Sequence, residues 1–364
     1  MHLKELFQTI PKLQSDKKIC LLTHNDADGS GCAILIRYLF PDADIIHCSN
    51  QNASRTIRDL LLSDEKRTAY DFILATDISV TEQDAVRLNG AFRYTRKFLM
   101  LDHHTSALSL NQYKWAVITP DLPKDSAIAH WYPENSHPKT SGTALLYDYL
   151  IWCGLLPDPN DQPSPDARLL NKIVHFIAAY DNWDWVTILG ANPEYDEFHQ
   201  LHECYGIRLY EDQILTKIKN DSPVYHYSTN LFDNTDRFLL GIHKNKVKTH
   251  LEHIQPSIRT GNLQINDRYY SIVFLSNNDY MQETFQFMKD TYPDYDLYAI
   301  DYGTGCSIRA VKPEIDVSAI LQPLGGGGHQ GAGGIRYNPE EIHKRFADTF
   351  HGTLFLDTSE RTAI

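Results

Sequence analysis

The sequence predicts an α/β protein of two domains, an N-terminal doubly wound, mainly parallel sheet and a smaller C-terminal α/β domain, joined by a helical linker. Three observations predict it. Short apolar runs alternate with amphipathic stretches through the first half, the pattern of successive βαβ units. That pattern lapses over residues 190–260 and then restarts. The chain is 364 residues long, and at ~150 residues per domain that length suggests about two domains.

In chain order, Ile19–Thr23 reads as a strand, followed by a turn and a helix from Gly31 to Phe40. Ile45–Cys48 is the second strand and leads to a helix through Ile57–Leu62. Phe72–Thr76 and Phe98–Leu101 are the third and fourth strands. A proline-rich loop follows, with Pro120, Pro123, Pro133 and Pro138, and then Thr140-Ser141 can cap a helix running to Trp152. Another helix spans Ala167–Tyr180. Residues 190–260 are polar and aromatic, an extension of the first domain ending in a connecting helix over Phe238–Ile254. Strands restart at Tyr269–Leu275, Leu297–Asp301 and Cys306–Val311, with a helix near Met281–Lys289. A glycine cluster at Gly325–Gly334 precedes a closing helix over Pro339–Phe350. The expected domains are 1–235, a linker helix 236–262, and 263–352.

Composition narrows the function classes. At 42% hydrophobic and 22% charged, the chain can fill real cores and is neither fibrous nor disordered. Its apolar runs are far shorter than the ~20 residues a spanning helix needs, and its start lacks the apolar stretch of a secretory signal. Six scattered cysteines without a Cys-x-x-Cys pair suit free thiols in a cytoplasmic protein. The net charge of −13 disfavours a protein that grips long nucleic acid by counterion release. A nucleic-acid ligand should be short, or held locally with help from metal ions.

In an open α/β sheet, ligands bind beyond the carboxyl ends of the strands. There the first strand runs into His24-Asn25-Asp26-Ala27-Asp28-Gly29, the third into Asp77, and the fourth into Asp102-His103-His104; the helix ending at Tyr180 runs into Asp181. Carboxylates mixed with imidazoles suit manganese, iron or similar ions, whereas an all-oxygen set would suit magnesium or calcium. Two such ions ~3.5–4 Å apart can clamp a phosphate ester. Each piece has a plainer explanation. Asp-x-Asp-Gly could open a calcium loop, but the twelfth position from His24 is Leu35, where an EF-hand needs a bidentate Glu. Asp77 could be a helix N-cap, and Asp102-His103-His104 a solvated turn. Taken together they are better explained by a metal site, because each closes an apolar strand. In Gly325–Gly334 the serines and charges of a linker are missing, and no Gly-Lys-Ser/Thr follows as in a Walker loop. A backbone so bare lets a phosphate approach its N–H groups, with His329 beside it and Arg309 as a planar fork.

These motifs resemble the DHH phosphoesterase superfamily: His-x-Asp-x-Asp-Gly, a lone Asp, Asp-His-His and a later Asp, in that order. The segment from Ser307-Ile308-Arg309 through Asp316-Val317-Ser318 to the glycines is similar to the DHH-associated C-terminal domain. The resemblance spans about residues 18–337, and Tyr180-Asp181-Asn182-Trp183-Asp184-Trp185 places it nearest the small oligoribonucleases (nanoRNases, NrnB-like). It implies one metal held by His24, Asp26 and Asp77 and a second by Asp28, Asp77, His103 and Asp181, with Asp181 preferred over Asp184. It further implies Asp102 orienting an imidazole, His104 facing the scissile phosphate, and Arg309, Gly326, Gly327, Gly328 and His329 binding substrate from the second domain. The implied activity is Mn²⁺-dependent hydrolysis of short oligoribonucleotides to nucleoside 5′-monophosphates by two divalent ions. The competing expectations are a RecJ-like exonuclease on single-stranded DNA, hydrolysis of 3′-phosphoadenosine 5′-phosphate or of linear and cyclic dinucleotides, and a non-catalytic nucleotide-binding module. The expected partners are short single-stranded RNA or DNA and no membrane.

Overall fold

The computed structural model describes residues 2–92, 97–161, 164–219, 231–265, 268–312, 314–329 and 331–338, with backbone alone at 91, 92, 165 and 329. The expected closing helix over 339–350 lies outside the described residues. The chain divides into two units, residues 1–241 and 242–364.

The first unit carries β1 (Ile19–His24), β2 (Asp44–Cys48), β3 (Phe72–Thr76), β4 (Phe98–Asp102) and β5 (Ala116–Ile118). All pair in parallel, in the order β2-β1-β3-β4-β5. Parallel strands need crossover connections; α2 (Ala27–Leu39) joins β1 to β2, α3 (Ala53–Leu62) and α4 (Asp64–Thr68) join β2 to β3, and α5 (Glu82–Phe92) joins β3 to β4. The helix α1 (Leu3–Phe7) precedes the sheet, and α6 (Gly142–Cys153), α7 (Pro165–Asp181), α8 (Asp184–Thr187), α9 (Pro193–Tyr205) and α10 (Ile207–Lys219) follow it. The central strands are buried on both faces. Leu21, Leu74, Leu99 and Leu101 pack toward Ala33, Ile36, Leu145 and Ile177 on one side. Cys20, Leu22, Ile73, Ala75 and Met100 pack toward Ile57, Leu61, Leu88 and Trp115 on the other. Adjacent residues thus serve opposite cores, so a one-residue slip would exchange the two faces. The chain leaves β1 for β2 on one side and returns to β3 on the other. The topological switch point therefore lies between β1 and β3, where a doubly wound sheet opens its ligand crevice.

The second unit holds β6 (Arg259–Ile265), β7 (Arg268–Ser276), β8 (Leu297–Asp301), β9 (Gly305–Ala310), β10 (Gly327–His329) and β11 (Ala332–Arg336). Its sheet has the order β10-β11-β9-β8-β7-β6 and is mixed, because only β7 and β8 run parallel. The helix α11 (Asn234–Ile254) spans the division between units; α12 (Met281–Thr291) and α13 (Val317–Leu321) follow. Ile254, Val273, Phe285, Met288 and Tyr298 form one core of this unit. Ile272, Leu297, Ile308, Val317 and Leu321 form another.

Several elements depart from the sequence expectations. The helix after β1 begins at Ala27 instead of Gly31, so Asp28 lies in its first turn. The short strand β5 and the helix α5 had no counterpart among the expected elements. Residues 259–265, of which 259–262 are expected within the linker helix, form the polar strand β6. The glycine cluster is not a loop: β10 and β11 pair antiparallel within it. Gly328 has φ +146°, and a Cβ there would stand 2.3 Å from the Ala332 carbonyl oxygen. The strands can come this close only because the side chain is absent. No helix among the described residues is long and apolar enough to cross a membrane, and all six cysteines are free.

Candidate metal centre

At the switch point, the carboxyl ends of β1, β3 and β4 deliver their polar residues to one place. β1 ends at His24, and Asp26 caps α2 by accepting the Gly29 N–H at 2.9 Å. Its other oxygen lies 2.5 Å from His24 Nδ1. Asp28 is buried, and both its oxygens accept main-chain donors at the start of α6: Gly142 N at 2.6 Å and Thr143 N at 3.0 Å. These N–H groups and the positive end of the α6 dipole offset the cost of burying a carboxylate. Gly142 permits the approach. A Cβ there would lie 2.4 Å from Asp77 Cβ and 2.9 Å from Asp28 Oδ2.

Asp77 follows β3 in a left-handed conformation, φ +57°, with its N–H donated to the Leu101 carbonyl at 3.0 Å. It does not cap a helix. A left-handed aspartate is tolerated but uncommon, and such conformations gather at functional sites. Its Oδ1 lies 3.2 Å from His103 Nε2. Its Oδ2 is buried without a hydrogen-bond partner and stands 3.9 Å from His24 Nδ1.

Beyond β4, Asp102 is fully buried and organises the turn. Its Oδ1 accepts the His103 N–H at 2.8 Å and faces His104 Nδ1 at 2.7 Å. His104 is thereby held by one ring nitrogen, with 38% of its side chain exposed. His103 Nε2 points into the acidic group, 3.8 Å from Asp28 and 3.6 Å from Asp181 at the end of α7.

Two sets could each hold a cation: His24 with Asp26 and Asp77, and Asp28 with His103 and Asp181, with ligand atoms inside 4.8 Å of one another. Asp77 also lies within that distance of Asp102, His103 and His104. Electrostatics records the crowding. Burial, then the charges of Asp28, Asp26 and Asp181, push the Asp77 carboxyl well above the usual carboxylate range. Burial with Asp28 and Asp26 does the same to Asp181. Burial lowers His103. Burial also opposes the charged form of Asp26, yet the hydrogen bond and charge of His24 hold it low. In the Asp102–His104 pair burial is overcome too: Asp102 is lowered and His104 raised. Four carboxylates, one of them with an orphaned buried oxygen, and two imidazoles fit divalent cations of the manganese type.

Asp184, the rival of Asp181, lies elsewhere. Its Oδ2 accepts the Lys139 N–H at 2.9 Å, and burial raises it to about 6. The main-chain donors of Gly142 and Thr143 were not foreseen; Ser141 capping α6 was their only sequence trace. Nor was His47, whose Nδ1 lies 2.9 Å from the His24 carbonyl oxygen and whose Nε2 lies 2.8 Å from Glu211. Among the expected substrate contacts, Arg309 on β9 donates to Gln282 Oε1 at 2.9 Å and lies over the Phe285 ring. Gly326 donates its N–H to the Leu321 carbonyl, and Gly327 and Gly328 belong to β10. The His329 side chain lies outside the described residues.

No family model matches the chain. It is similar to oligoribonuclease NrnB of Bacillus subtilis, 25% identical over 338 residues that cover 91% of this chain and 75% of that protein. Solved structures similar to it include an uncharacterized protein from Helicobacter pylori G27, with TM-score 0.41, 17% identity and coverage of 92% and 99% of the two chains. A pGpG-specific phosphodiesterase, PggH, from Vibrio cholerae gives 0.38, 14%, and 92% and 97%. An exopolyphosphatase-related protein from Bacteroides fragilis gives 0.43, 13%, and 92% of both.

Proposed function

We propose that the chain is a cytoplasmic DHH-superfamily phosphodiesterase that uses two divalent cations, Mn²⁺ foremost, to hydrolyse short oligoribonucleotides to nucleoside 5′-monophosphates. One observation carries this: six candidate ligands at the ends of β1, β3, β4 and α7 and the start of α2 form two sets linked by His103 and Asp77 at 3.2 Å, and an Asp77 oxygen is buried with no hydrogen-bond partner. The similarity to an oligoribonuclease over 91% of the chain supports the substrate class.

His24, Asp26 and Asp77 would hold one ion, and Asp28, Asp77, His103 and Asp181 the other, with Asp77 shared. Bound together, such ions supply a water acidic enough to act as hydroxide near neutral pH and a positive field on the phosphate oxygens. The chain's own part is preorganisation. Gly142 and Thr143 fix Asp28, and Asp102 fixes His104 through its Nδ1, which favours the protonated ring. A protonated His104 offers a donor to the charge developing on a phosphate oxygen. Arg309, the Gly326–Gly328 backbone and His329 are the proposed contacts to a substrate phosphate in the second unit.

The test is a ranking of kcat/KM with Mn²⁺ on di- to pentanucleotide RNA, a long DNA strand, 3′-phosphoadenosine 5′-phosphate, and linear and cyclic dinucleotides. The expectation is that short RNA comes first. Preference for the long strand overturns the substrate, and turnover of none of them overturns the enzyme.

A further inference from the structure

In the segment after Asp181, helix capping explains the backbone of one residue, and neither capping nor burial explains its side chain. α7 ends at Asp181, and the chain turns through Asn182 and Trp183 into α8. Trp183 takes the left-handed conformation, φ +65° and ψ 10°, which glycine or asparagine normally occupies after a helix and which a bulky side chain enters only at a cost. Its N–H donates to the Tyr180 carbonyl at 3.0 Å, and its own carbonyl accepts the Val186 N–H at 3.1 Å, so the turn is fixed. A buried indole could offset that strain, but this one is 39% exposed.

The indole does not stand alone. Tyr180 stacks on His199 at 3.8 Å and 12°, and on Trp185 at 5.8 Å and 10°. Trp183 meets Tyr180 and Trp185 steeply, at 68° and 73°. Its orientation is therefore set by neighbouring rings while part of its own surface stays open. The Trp183 main chain lies two residues from that of Asp181, a span of at most ~7 Å along the chain. That is comparable to the separation of a nucleobase from its phosphate across one sugar.

We propose that Trp183 is a nucleobase-stacking residue, the exposed ring of an aromatic ledge with Tyr180, Trp185 and His199, for the nucleotide whose phosphate is bound at the metal centre. This rests on the phosphodiesterase reading and adds a base subsite to it. A flat ring accepts any base, so the ledge favours base-bearing substrates without choosing among sequences.

The experiment compares the full chain with Trp183→Gly and Trp183→Phe in the presence of Mn²⁺. Glycine suits the left-handed backbone, so it removes the ring without adding strain; thermal melts verify folding. The readout is the ratio of kcat/KM on a dinucleotide to that on its abasic analogue. The expected result is a ratio that falls roughly 10-fold in Trp183→Gly, mainly through KM, and is largely kept in Trp183→Phe, as loss of one base–aromatic stack requires. An unchanged ratio in Trp183→Gly overturns the proposal. If the wild-type chain hydrolyses neither substrate, the phosphodiesterase reading fails instead. Titration with adenosine 5′-monophosphate against ribose 5-phosphate then decides the stacking: weaker nucleotide binding in Trp183→Gly upholds it, and equal binding overturns it.

Discussion

The rim of the first sheet and the glycine ribbon of the second are built by opposite means. At the rim, side chains of like charge are forced together: Asp28, Asp77 and Asp181 surround one imidazole, and an Asp77 oxygen is buried with no hydrogen-bond partner. In β10 and β11, side chains are removed, and Gly328 stands where a Cβ would lie 2.3 Å from the opposite carbonyl oxygen. The difference lies in what folding alone would require. Crowded carboxylates oppose folding unless a proton or an external cation offsets them. Close glycines are sufficiently explained by the hairpin they form. The acidic rim is therefore strong testimony to a ligand, and the ribbon is weaker testimony, although both stand out equally in the chain.

The largest expected effect breaks the rim at its centre. Asp77→Asn should lower Mn²⁺-dependent turnover by ~10²–10³-fold or more, since the proposed shared metal ligand is lost. Retained turnover would remove Asp77 from its shared position. Stability should move the other way. Asp77 and Asp181 hold protons more tightly folded than unfolded. The metal-free wild type therefore loses stability as pH rises from ~4 toward their raised values. Asp26 and Asp102 are held low, and their contribution is lost only as pH falls through those lowered values. Metal-free Asp77→Asn should thus melt above wild type at pH ~7, and should lose most of the melting-temperature gain that Mn²⁺ gives wild type. Melting curves with and without Mn²⁺ check both signs.

A paired substitution sharpens the contrast. Gly142→Ala puts a methyl group 2.4 Å from Asp77 Cβ and should weaken Mn²⁺ binding ~10–100-fold, as disturbance just behind metal ligands does. Gly328→Ala meets a similar clash, at φ +146°, but in the ribbon. It should cost about 1–3 kcal/mol of stability and leave Mn²⁺ affinity as it was. Calorimetric titration of the folded variants with Mn²⁺ separates them, and equal loss of metal binding in both would erase the distinction.

The rim was legible because its information lies in side chains at predictable places. His24, Asp26, Asp77, Asp102 and His103 each terminate or follow an apolar run, and a parallel sheet brings such ends to one edge. What stayed hidden lies in the backbone or in weak patterns. The Gly142 and Thr143 donors that seat Asp28 leave no side-chain signature. β5 is only Ala116–Ile118, and β6 is a polar strand with Leu263 and Ile265 as its main apolar marks. β10 has almost no strand propensity, being Gly-Gly-His. The left-handed turns at Asp77 and Trp183 are held by their surroundings.

The smallest effect tests the rim's boundary. Asp181 and Asp184 are three residues apart and both titrate high, but only Asp181 faces His103. Asp184 spends an oxygen on the Lys139 N–H, and an asparagine keeps an oxygen for that bond. Asp184→Asn should leave Mn²⁺ affinity unchanged where Asp181→Asn weakens it. Its signature belongs to stability. Burial raises Asp184 to about 6, so ionising it works against folding as pH climbs from ~4 through that value. The variant lacks this loss. Its melting temperature should match wild type in acid, draw ahead across that window, and keep a constant lead at higher pH. Loss of metal affinity in Asp184→Asn, with none in Asp181→Asn, would move the ligand three residues along the chain and off the end of α7.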